Sequence, residues 1–293
     1  MKSTASPTMT KNEQKGIEID HRDNLSYKEF FHEYLMPRKP VVITDATAKW
    51  KARSWTPEWF RNRYPGMKVQ TDQGEMVMEE FIDAITAQSD EPGPFLREQL
   101  LKDVFPDIID HVLPASMYML PNWLGGNYIL DRVNKRLHRE STIEVNFCGR
   151  RIFPYLHFDD LHVHAFISQL YGEKAVVLFP PDQEQFIYRK GEHRVSEIPD
   201  VDNVDLNQFP LFAKATPIRV VLKPGESFFM PCGWWHTTRV PGASLSTVSS
   251  FVNSSNWSEL VDDIEKELSH RPTFASLYGA YMRSTGFFKS LVN

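Results

Sequence analysis

Residues 156–164 read Leu156-His157-Phe158-Asp159-Asp160-Leu161-His162-Val163-His164, and this stretch decides how the chain is interpreted. His157 and Asp159 stand two positions apart. On an extended strand such residues point to the same face, so one short segment can offer an imidazole and a carboxylate to one metal ion. A third ligand must then come from elsewhere in the chain.

His236 is the natural third ligand. It ends the stretch Pro231-Cys232-Gly233-Trp234-Trp235-His236, which follows a predicted strand over 227–230. The proline and glycine between that strand and His236 can aim its side chain inward. Two histidines and one carboxylate form the facial triad of non-haem Fe(II) oxygenases, which leaves adjacent coordination positions open. The set therefore predicts a metal centre with room for a chelating co-substrate and O2.

Two further histidines, His162 and His164, allow a different metal site. Together with His157 and a carboxylate they could hold zinc or manganese, as in other enzymes with a His-x-His motif. Strict strand alternation would instead put His157 and Asp159 on one face and His162 and His164 on the other. In that case the second pair lines the mouth of the pocket or the outer face of the sheet.

The pattern of the chain changes near residue 142, from mixed helical and strand signals to short β-type runs. Strands are predicted over 142–147, 165–170, 175–179, 218–222, 227–230 and 244–252. Before them, a helix over 78–87 and a helix over 98–113 broken by Pro106 are predicted. Residues 1–16 form a polar, disordered tail, and 180–217 is an excursion between strands. This order of elements favours a sandwich or jelly roll with helical additions.

Composition and charge exclude several classes of protein. The 293 residues are 41% hydrophobic and 24% charged, with a formal net charge of -5, so we expect a globular chain without a broad basic surface for nucleic acid. No run approaches the about 18 apolar residues of a membrane span, and the N-terminus lacks a secretory signal. Cys148 and Cys232 are too few for a disulfide framework, which favours the cytoplasm.

A family resemblance rests on several motifs in a fixed order. They are Pro40-Val41-Val42-Ile43-Thr44, Trp55-Thr56-Pro57-Glu58, Leu156-His157-Phe158-Asp159, Gln169-Leu170-Tyr171-Gly172-Glu173-Lys174, Leu178-Phe179-Pro180-Pro181-Asp182-Gln183, Leu222-Lys223-Pro224-Gly225-Glu226, Trp234-Trp235-His236 and Phe251-Val252-Asn253. From about residue 17 to 257 the chain resembles JmjC-type, cupin-like oxygenases that use Fe(II) and 2-oxoglutarate. It is similar to their hydroxylase branch, which includes the asparaginyl hydroxylase of hypoxia-inducible factor.

The resemblance implies a fold and a set of roles. The fold is mainly β, with a double-stranded β-helix (jelly roll, cupin-like) core, an N-terminal α/β region to about 140 and C-terminal helices over 258–293. His157, Asp159 and His236 would bind Fe(II). Lys174 would pair with the distal carboxylate of 2-oxoglutarate, with Tyr118 and Asn253 as further co-substrate contacts.

Two departures from the family pattern bear on co-substrate binding. Pro154 stands where the family often has Ser or Thr, and Ala165 stands where some members have Asn.

The predicted function is hydroxylation of a protein or peptide side chain, with O2 and 2-oxoglutarate as co-substrates. A lysine demethylase, or an oxygenase acting on RNA or a small molecule, is the alternative within the same family. A zinc or manganese cupin that does not use 2-oxoglutarate and a non-catalytic binding module are the others. The apolar stripe Leu260, Val261, Ile264 and Leu268 could pair the C-terminal helices of two copies or pack on the barrel.

Overall fold

Two β-sheets face each other in the computed structural model, which describes residues 18–113, 116–124, 143–153 and 155–292. The strands are β1 Asp20–Arg22, β2 Val41–Ile43, β3 Lys68–Thr71, β4 Gly74–Val77, β5 Phe95–Leu100, β6 Ile143–Cys148, β7 Arg151–Ile152, β8 His164–Tyr171, β9 Lys174–Phe179, β10 Ile218–Leu222, β11 Ser227–Met230, β12 Trp235–Val240 and β13 Ser244–Phe251. The helices are α1 Tyr27–Phe30, α2 Pro57–Arg63, α3 Met78–Thr86, α4 Leu101–Val104, α5 Glu184–Ile187, α6 Trp257–Glu267 and α7 Pro272–Val292. The predicted tail over 1–16 lies outside the described residues.

The chain alternates between the two sheets. The larger sheet has the strand order β1-β2-β11-β8-β13-β6-β5, and the smaller has the order β10-β9-β12-β7. From β8 onward successive strands or strand pairs switch sheets, and β8, β11 and β13 form the centre of the larger one. This is a jelly-roll arrangement. The predicted fold class, a jelly-roll core with an N-terminal α/β region and C-terminal helices, is confirmed.

Side-chain alternation along β8 separates an inner core from an outer one. Ala165 and Ile167 face the smaller sheet and pack against Val176 and Leu178 of β9. Phe166 points the other way. It packs with aromatic residues of the larger sheet and of α1 in an outer cluster that includes Phe30, Tyr118, Phe229 and Phe251. The interior between the sheets is therefore bounded by β8, β11 and β13 on one side and by β9, β10 and β12 on the other.

The N-terminal region covers the outer face of the larger sheet. Phe60 of α2 and Phe81 of α3 meet Phe147 of β6, with ring centroids 5.2 Å apart in both contacts. The start of α2 is fixed as its sequence predicts, because the Thr56 side chain accepts a hydrogen bond from the Trp59 N–H and Pro57 occupies the first turn. This layer supports the larger sheet on the face that points away from the smaller one.

Residues 98–113 do not form the predicted broken helix. β5 continues to Leu100, because pairing with β6 places Phe95 opposite Cys148 and Leu100 opposite Glu144. Only the short helix α4 and a 3-10 turn over Pro106–Val112 follow it. Sheet pairing, a contact between distant parts of the chain, overrides the local helical pattern here.

The C-terminal helices pack on the jelly roll through the stripe that the sequence singles out. Leu260, Val261 and Ile264 are buried in one cluster with Leu161 and Trp123. Of the two predicted roles for this stripe, packing on the core is the one that the fold shows. None of the helices in the described part of the chain combines the length and the hydropathy that a membrane crossing requires.

Replacing Phe166 by alanine removes a ring from the outer aromatic cluster. We expect the free energy of unfolding to fall by about 3–5 kcal/mol, because the cavity has few ways to close among packed rings. Urea unfolding followed by fluorescence measures the change. The matched control is Phe287→Ala, at a ring that is 61% exposed, which should change the value by less than about 0.5 kcal/mol. Equal effects at the two sites would contradict this packing.

Candidate metal centre

A pair of backbone hydrogen bonds brings two of the predicted ligands together. The N–H of His157 donates to the carbonyl of His236 over 3.0 Å, and the N–H of His236 donates back over 2.6 Å. The residues are thus opposite each other in an antiparallel bridge, although 79 positions separate them in sequence. Their ring centroids lie 4.3 Å apart. Directly opposed residues in such a bridge point to the same face, so both rings project to one side.

Both imidazoles are oriented by the same local contact. Nδ1 of His157 lies 3.2 Å from the carbonyl oxygen of Tyr155, and Nδ1 of His236 lies 3.1 Å from that of Trp234. A carbonyl only accepts, so each Nδ1 carries the proton and donates. Each Nε2 then keeps its lone pair for a ligand, which is the tautomer that a metal requires.

Asp159 completes the group. One ligand atom from each of His157, Asp159 and His236 lies within 4.8 Å of the other two. Asp159 Oδ1 is 3.8 Å from His236 Nε2, and the carboxylate is 30% exposed while the His236 side chain is 7% exposed. Small side-chain rotations suffice to bring these atoms to the about 2.0–2.2 Å that N and O ligands keep from a transition metal. Two neutral imidazoles and one carboxylate fit Fe(II) in a facial triad with open positions.

The segment that carries His157 and Asp159 is not the regular extended strand that their two-residue spacing predicts. His157 forms single bridges, to His236 on one side and to Val195 on the other. The Phe158 N–H donates to the carbonyl of Arg194 over 3.1 Å, and a 3-10 turn begins at Asp160. The segment over 180–217 thus pairs with the side of the His157 segment that faces away from His236. The sequence shows no signal for this contact.

The alternative four-ligand site is not assembled in the described part of the chain. His164 is fully buried: Nδ1 accepts from the Cys232 N–H over 3.0 Å, and Nε2 lies 2.8 Å from Ser255 Oγ. Burial lowers the pKa of His164 to about 3, so this ring stays neutral as a structural link between β8 and the turn before His236. His162 Nδ1 lies 2.6 Å from Asp263 Oδ2 on α6. Neither ring joins the His157 group.

Lys174 is the first residue of β9 and is almost completely buried. By strand alternation it shares the inner face with Val176 and Leu178, and Leu178 is the residue opposite His236. Its Nζ donates to Ser246 Oγ over 2.6 Å. Among the described residues it forms no ion pair with a carboxylate. Burial lowers the pKa of the Lys174 ammonium, as expected for a cation held away from water without a counter-charge.

The structure places Tyr118 and Asn253 elsewhere. The Tyr118 hydroxyl donates to the carbonyl of Leu25 over 2.6 Å, and its ring stacks on Phe166 in the outer cluster, on the opposite side of β8 from the interior. Asn253 lies beyond the end of β13, where its Oδ1 accepts from the N–H and hydroxyl of Ser255. Pro154 lies outside the described residues.

The inward polar side chains of β13 include Ser246 and Ser250, neither of which was predicted from the sequence. Ser246 meets Lys174, and Ser250 is opposite Ala165, one of the positions where the chain departs from the family pattern. The period of two along 244–252 is the signal that could have found them. It predicts that alternate serines face the interior once the direction of one of them is known.

Comparison with known proteins gives one family and several relatives. A family model for the cupin-like domain matches residues 27–257. The chain is 27% identical over 284 residues to the arginine-specific demethylase JMJ20 of Arabidopsis thaliana. It is 24% identical over 245 residues to tRNA wybutosine-synthesizing protein 5 of Gallus gallus and 23% identical over 236 residues to lysine-specific demethylase 8 of Xenopus tropicalis.

The alignments cover most of this chain and a varying part of each relative. They take in 86% of the chain for the arginine demethylase, 78% for the wybutosine protein and 75% for lysine demethylase 8. The corresponding shares of the relatives are 60%, 75% and 50%. The chain thus spans about half to three quarters of the length of these three relatives.

Replacing His236 by alanine should abolish metal binding. One of three ligands is then lost, so we expect affinity to fall by more than the about 10–100-fold that removal of an outer-shell partner costs. Anaerobic calorimetric titration of metal-free protein with Fe(II) measures this. His270→Ala, at an exposed histidine, is the control and should bind as the wild type does. Undiminished binding by His236→Ala would contradict the assignment.

Proposed function

This chain belongs to the cupin-like domain family, in its JmjC-type form, and from that premise we propose that it is an Fe(II)- and 2-oxoglutarate-dependent oxygenase. His157, Asp159 and His236 would hold the iron, and Lys174 would bind the distal carboxylate of the co-substrate. When bound, the iron supplies the chemistry by which O2 converts 2-oxoglutarate to succinate and carbon dioxide and transfers one oxygen atom to the substrate.

The observation that carries the proposal is the buried ammonium of Lys174, which has no carboxylate partner among the described residues and shares the interior with the three ligands. An ammonium without a counter-ion in such a place is unfavourable for stability, and a bound carboxylate would offset that penalty. Lys174 and Leu178, the residue opposite His236, are four positions apart on β9, or about 13 Å along the strand. A lysine side chain and a five-carbon dicarboxylate placed end to end suit that separation.

The protein's own contribution is orientation and exclusion of water. The Nδ1 contacts of His157 and His236 hold both Nε2 atoms toward one point. Leu178, Met230 and Trp234 are buried around the interior and keep it apolar between the ligands and Lys174. In that environment the attraction between Lys174 and a carboxylate is much stronger than at the surface.

The substrate is proposed to be a protein or peptide side chain. Hydroxylation is the reaction that the sequence predicts, and demethylation fits equally because several relatives bear that name. In this family hydroxylation and demethylation can begin with the same oxidation, since a hydroxylated N-methyl group can leave as formaldehyde. One relative is named as a tRNA wybutosine-synthesizing protein, so an RNA substrate is the alternative to a protein or peptide substrate. Mass spectrometry of offered peptides separates gain of an oxygen atom from loss of a methylene.

Two further parts of the proposal concern organisation and compartment. We divide the chain into an oxygenase domain over 17–257 and C-terminal helices over 258–293. The cytoplasm is proposed because Cys148 and Cys232 are both unpaired and buried.

We also propose that α7 pairs two copies of the chain, in the homodimer predicted for the C-terminal helices. The stripe on α6 is buried within the molecule, so the surface for pairing has to lie on α7. There Phe274, Leu277 and Phe288 are 42%, 68% and 65% exposed. Their spacing places all three on one side of the helix. A second copy could bury this side.

Lys174→Met separates the role of the charge from that of the fold. We expect the KM for 2-oxoglutarate to rise about tenfold or more, because a charge-assisted hydrogen bond is lost. Succinate formed from Fe(II), 2-oxoglutarate and O2 is the measurement. Lys223→Met, at an exposed lysine, is the matched control. An unchanged KM in Lys174→Met would contradict the role of Lys174, and absence of both co-substrate binding and succinate in the wild type would overturn the oxygenase proposal.

The same variant should be more stable than the wild type when no co-substrate is present. The folded-state pKa of Lys174 lies below the ordinary value of 10.5, so its charge opposes folding. The destabilisation caused by the Lys174 charge is fully present below the folded-state pKa. It disappears as pH rises past the ordinary lysine pKa of 10.5. Urea unfolding of Lys174→Met and wild type at neutral and strongly alkaline pH should show a gain that shrinks with rising pH. A stability loss at neutral pH would contradict it.

Leu277→Lys should convert a dimer into a monomer, because it places a charge at the most exposed of the three apolar residues Phe274, Leu277 and Phe288. Light scattering coupled to size-exclusion chromatography measures the mass. Phe287→Lys is the control, since Phe287 is exposed but lies about 100° away from Phe288 around the helix. A wild-type monomer at high concentration would overturn the homodimer.

A further inference from the structure

The turn that follows the carboxylate ligand adopts an unusual backbone conformation. Leu161 and His162 have φ angles of 56° and 45°, in the left-handed region that favours glycine. Two consecutive side-chain-bearing residues in that region cost conformational free energy, and such a turn persists only where the surrounding structure fixes it. The turn starts at Asp160, directly after Asp159.

Helix α6 provides several of the contacts that fix this turn, beside the ion pair between Arg194 and Asp160. His162 Nδ1 donates to Asp263 Oδ2 over 2.6 Å, and the Asn256 side-chain amide donates to the His162 carbonyl over 2.8 Å. The Asn256 side chain makes no capping hydrogen bond to α6, and its amide holds the turn instead. Leu161 is buried in the cluster formed with Leu260 and other residues of α6 and α7.

Asp159 is the ligand that depends on these contacts. His157 and His236 are held by their mutual backbone hydrogen bonds, whereas Asp159 lies past the last bridge, between the Phe158 N–H contact to Arg194 and the turn. On the far side of the turn, the His162 ring also reaches the segment before His236. A Cβ at Gly233 would lie 4.0 Å from His162 Cδ2. The His162 ring thus lies between α6, the turn after Asp159 and the segment that leads to His236.

We propose that the contact between His162 and Asp263 positions Asp159 and thereby sets the metal affinity of the site. His162 and Asp263 are positioning residues and do not bind the metal themselves. Asp263 anchors the imidazole to α6, the imidazole fixes the turn, and the turn holds the Asp159 carboxylate 3.8 Å from His236 Nε2. This inference rests on the metal-binding role of the three ligands.

The test uses Co(II) as the probe and visible absorbance as the readout. Metal-free full-length protein is titrated with Co(II), which reports both the dissociation constant and the ligand field of the ion. Asp263→Ala should weaken binding about 10–100-fold and change the absorption spectrum, as loss of an outer-shell contact does. A residue that only stabilises the fold would leave the spectrum of the bound ion unchanged.

Three further variants make the test specific. Asp262→Ala is the matched control, because the neighbouring Asp262 is 65% exposed and pairs with Arg283. Asp263→Asn keeps an oxygen that accepts from His162 Nδ1, so it should restore most of the affinity. His162→Gly removes the same contact at a residue whose φ already suits glycine, so it adds no backbone strain and the loss should match that of Asp263→Ala.

The outcomes are distinguishable. Wild-type Co(II) affinity and spectrum in both Asp263→Ala and His162→Gly would overturn the inference, as would an equal loss in Asp262→Ala. Failure of the wild type to bind Co(II) and Fe(II) would instead count against the proposed function on which the inference rests.

Discussion

The paired backbone hydrogen bonds between His157 and His236 are the contact on which the candidate site depends. They join two residues that lie 79 positions apart, and they continue the pairing of β7 with β12 in the smaller sheet. A metal site at this bridge therefore forms with the fold and has no counterpart in the unfolded chain. Metal binding should consequently stabilise the whole jelly roll, since the free energy of binding becomes free energy of folding.

Function and stability oppose each other inside this barrel. A core made only of Val176, Leu178, Met230 and similar side chains would be more favourable than one that also holds the Lys174 ammonium. The buried charge makes sense as a binding group that is prepared in advance for an anion, with Ser246 as its partner until that anion arrives. His164, by contrast, is buried as a neutral ring and serves the architecture alone.

Much of the fold and part of the site follow from the sequence. Strands β10 and β11 begin and end where their patterns predict, and the His157-x-Asp159 motif with His236 contains the three side chains that the fold brings together. The rest depends on tertiary contacts without a local signal. β5 replaces a helix because β6 pairs with it, and residues 194–196 reach the ligand segment from a distant loop. Tyr118 lies in the outer cluster, and the order of motifs along the sequence does not specify which face of the sheet a side chain meets.

The candidate site is tested most directly by asking whether Fe(II) and 2-oxoglutarate bind at one shared centre. Protein loaded with Fe(II) is kept without O2, 2-oxoglutarate is added, and the visible spectrum is recorded. A charge-transfer band is expected, because the keto and adjacent carboxylate oxygens would chelate an ion that has open positions beside His157, Asp159 and His236. Folded, iron-loaded protein that gives no band at saturating 2-oxoglutarate would contradict it.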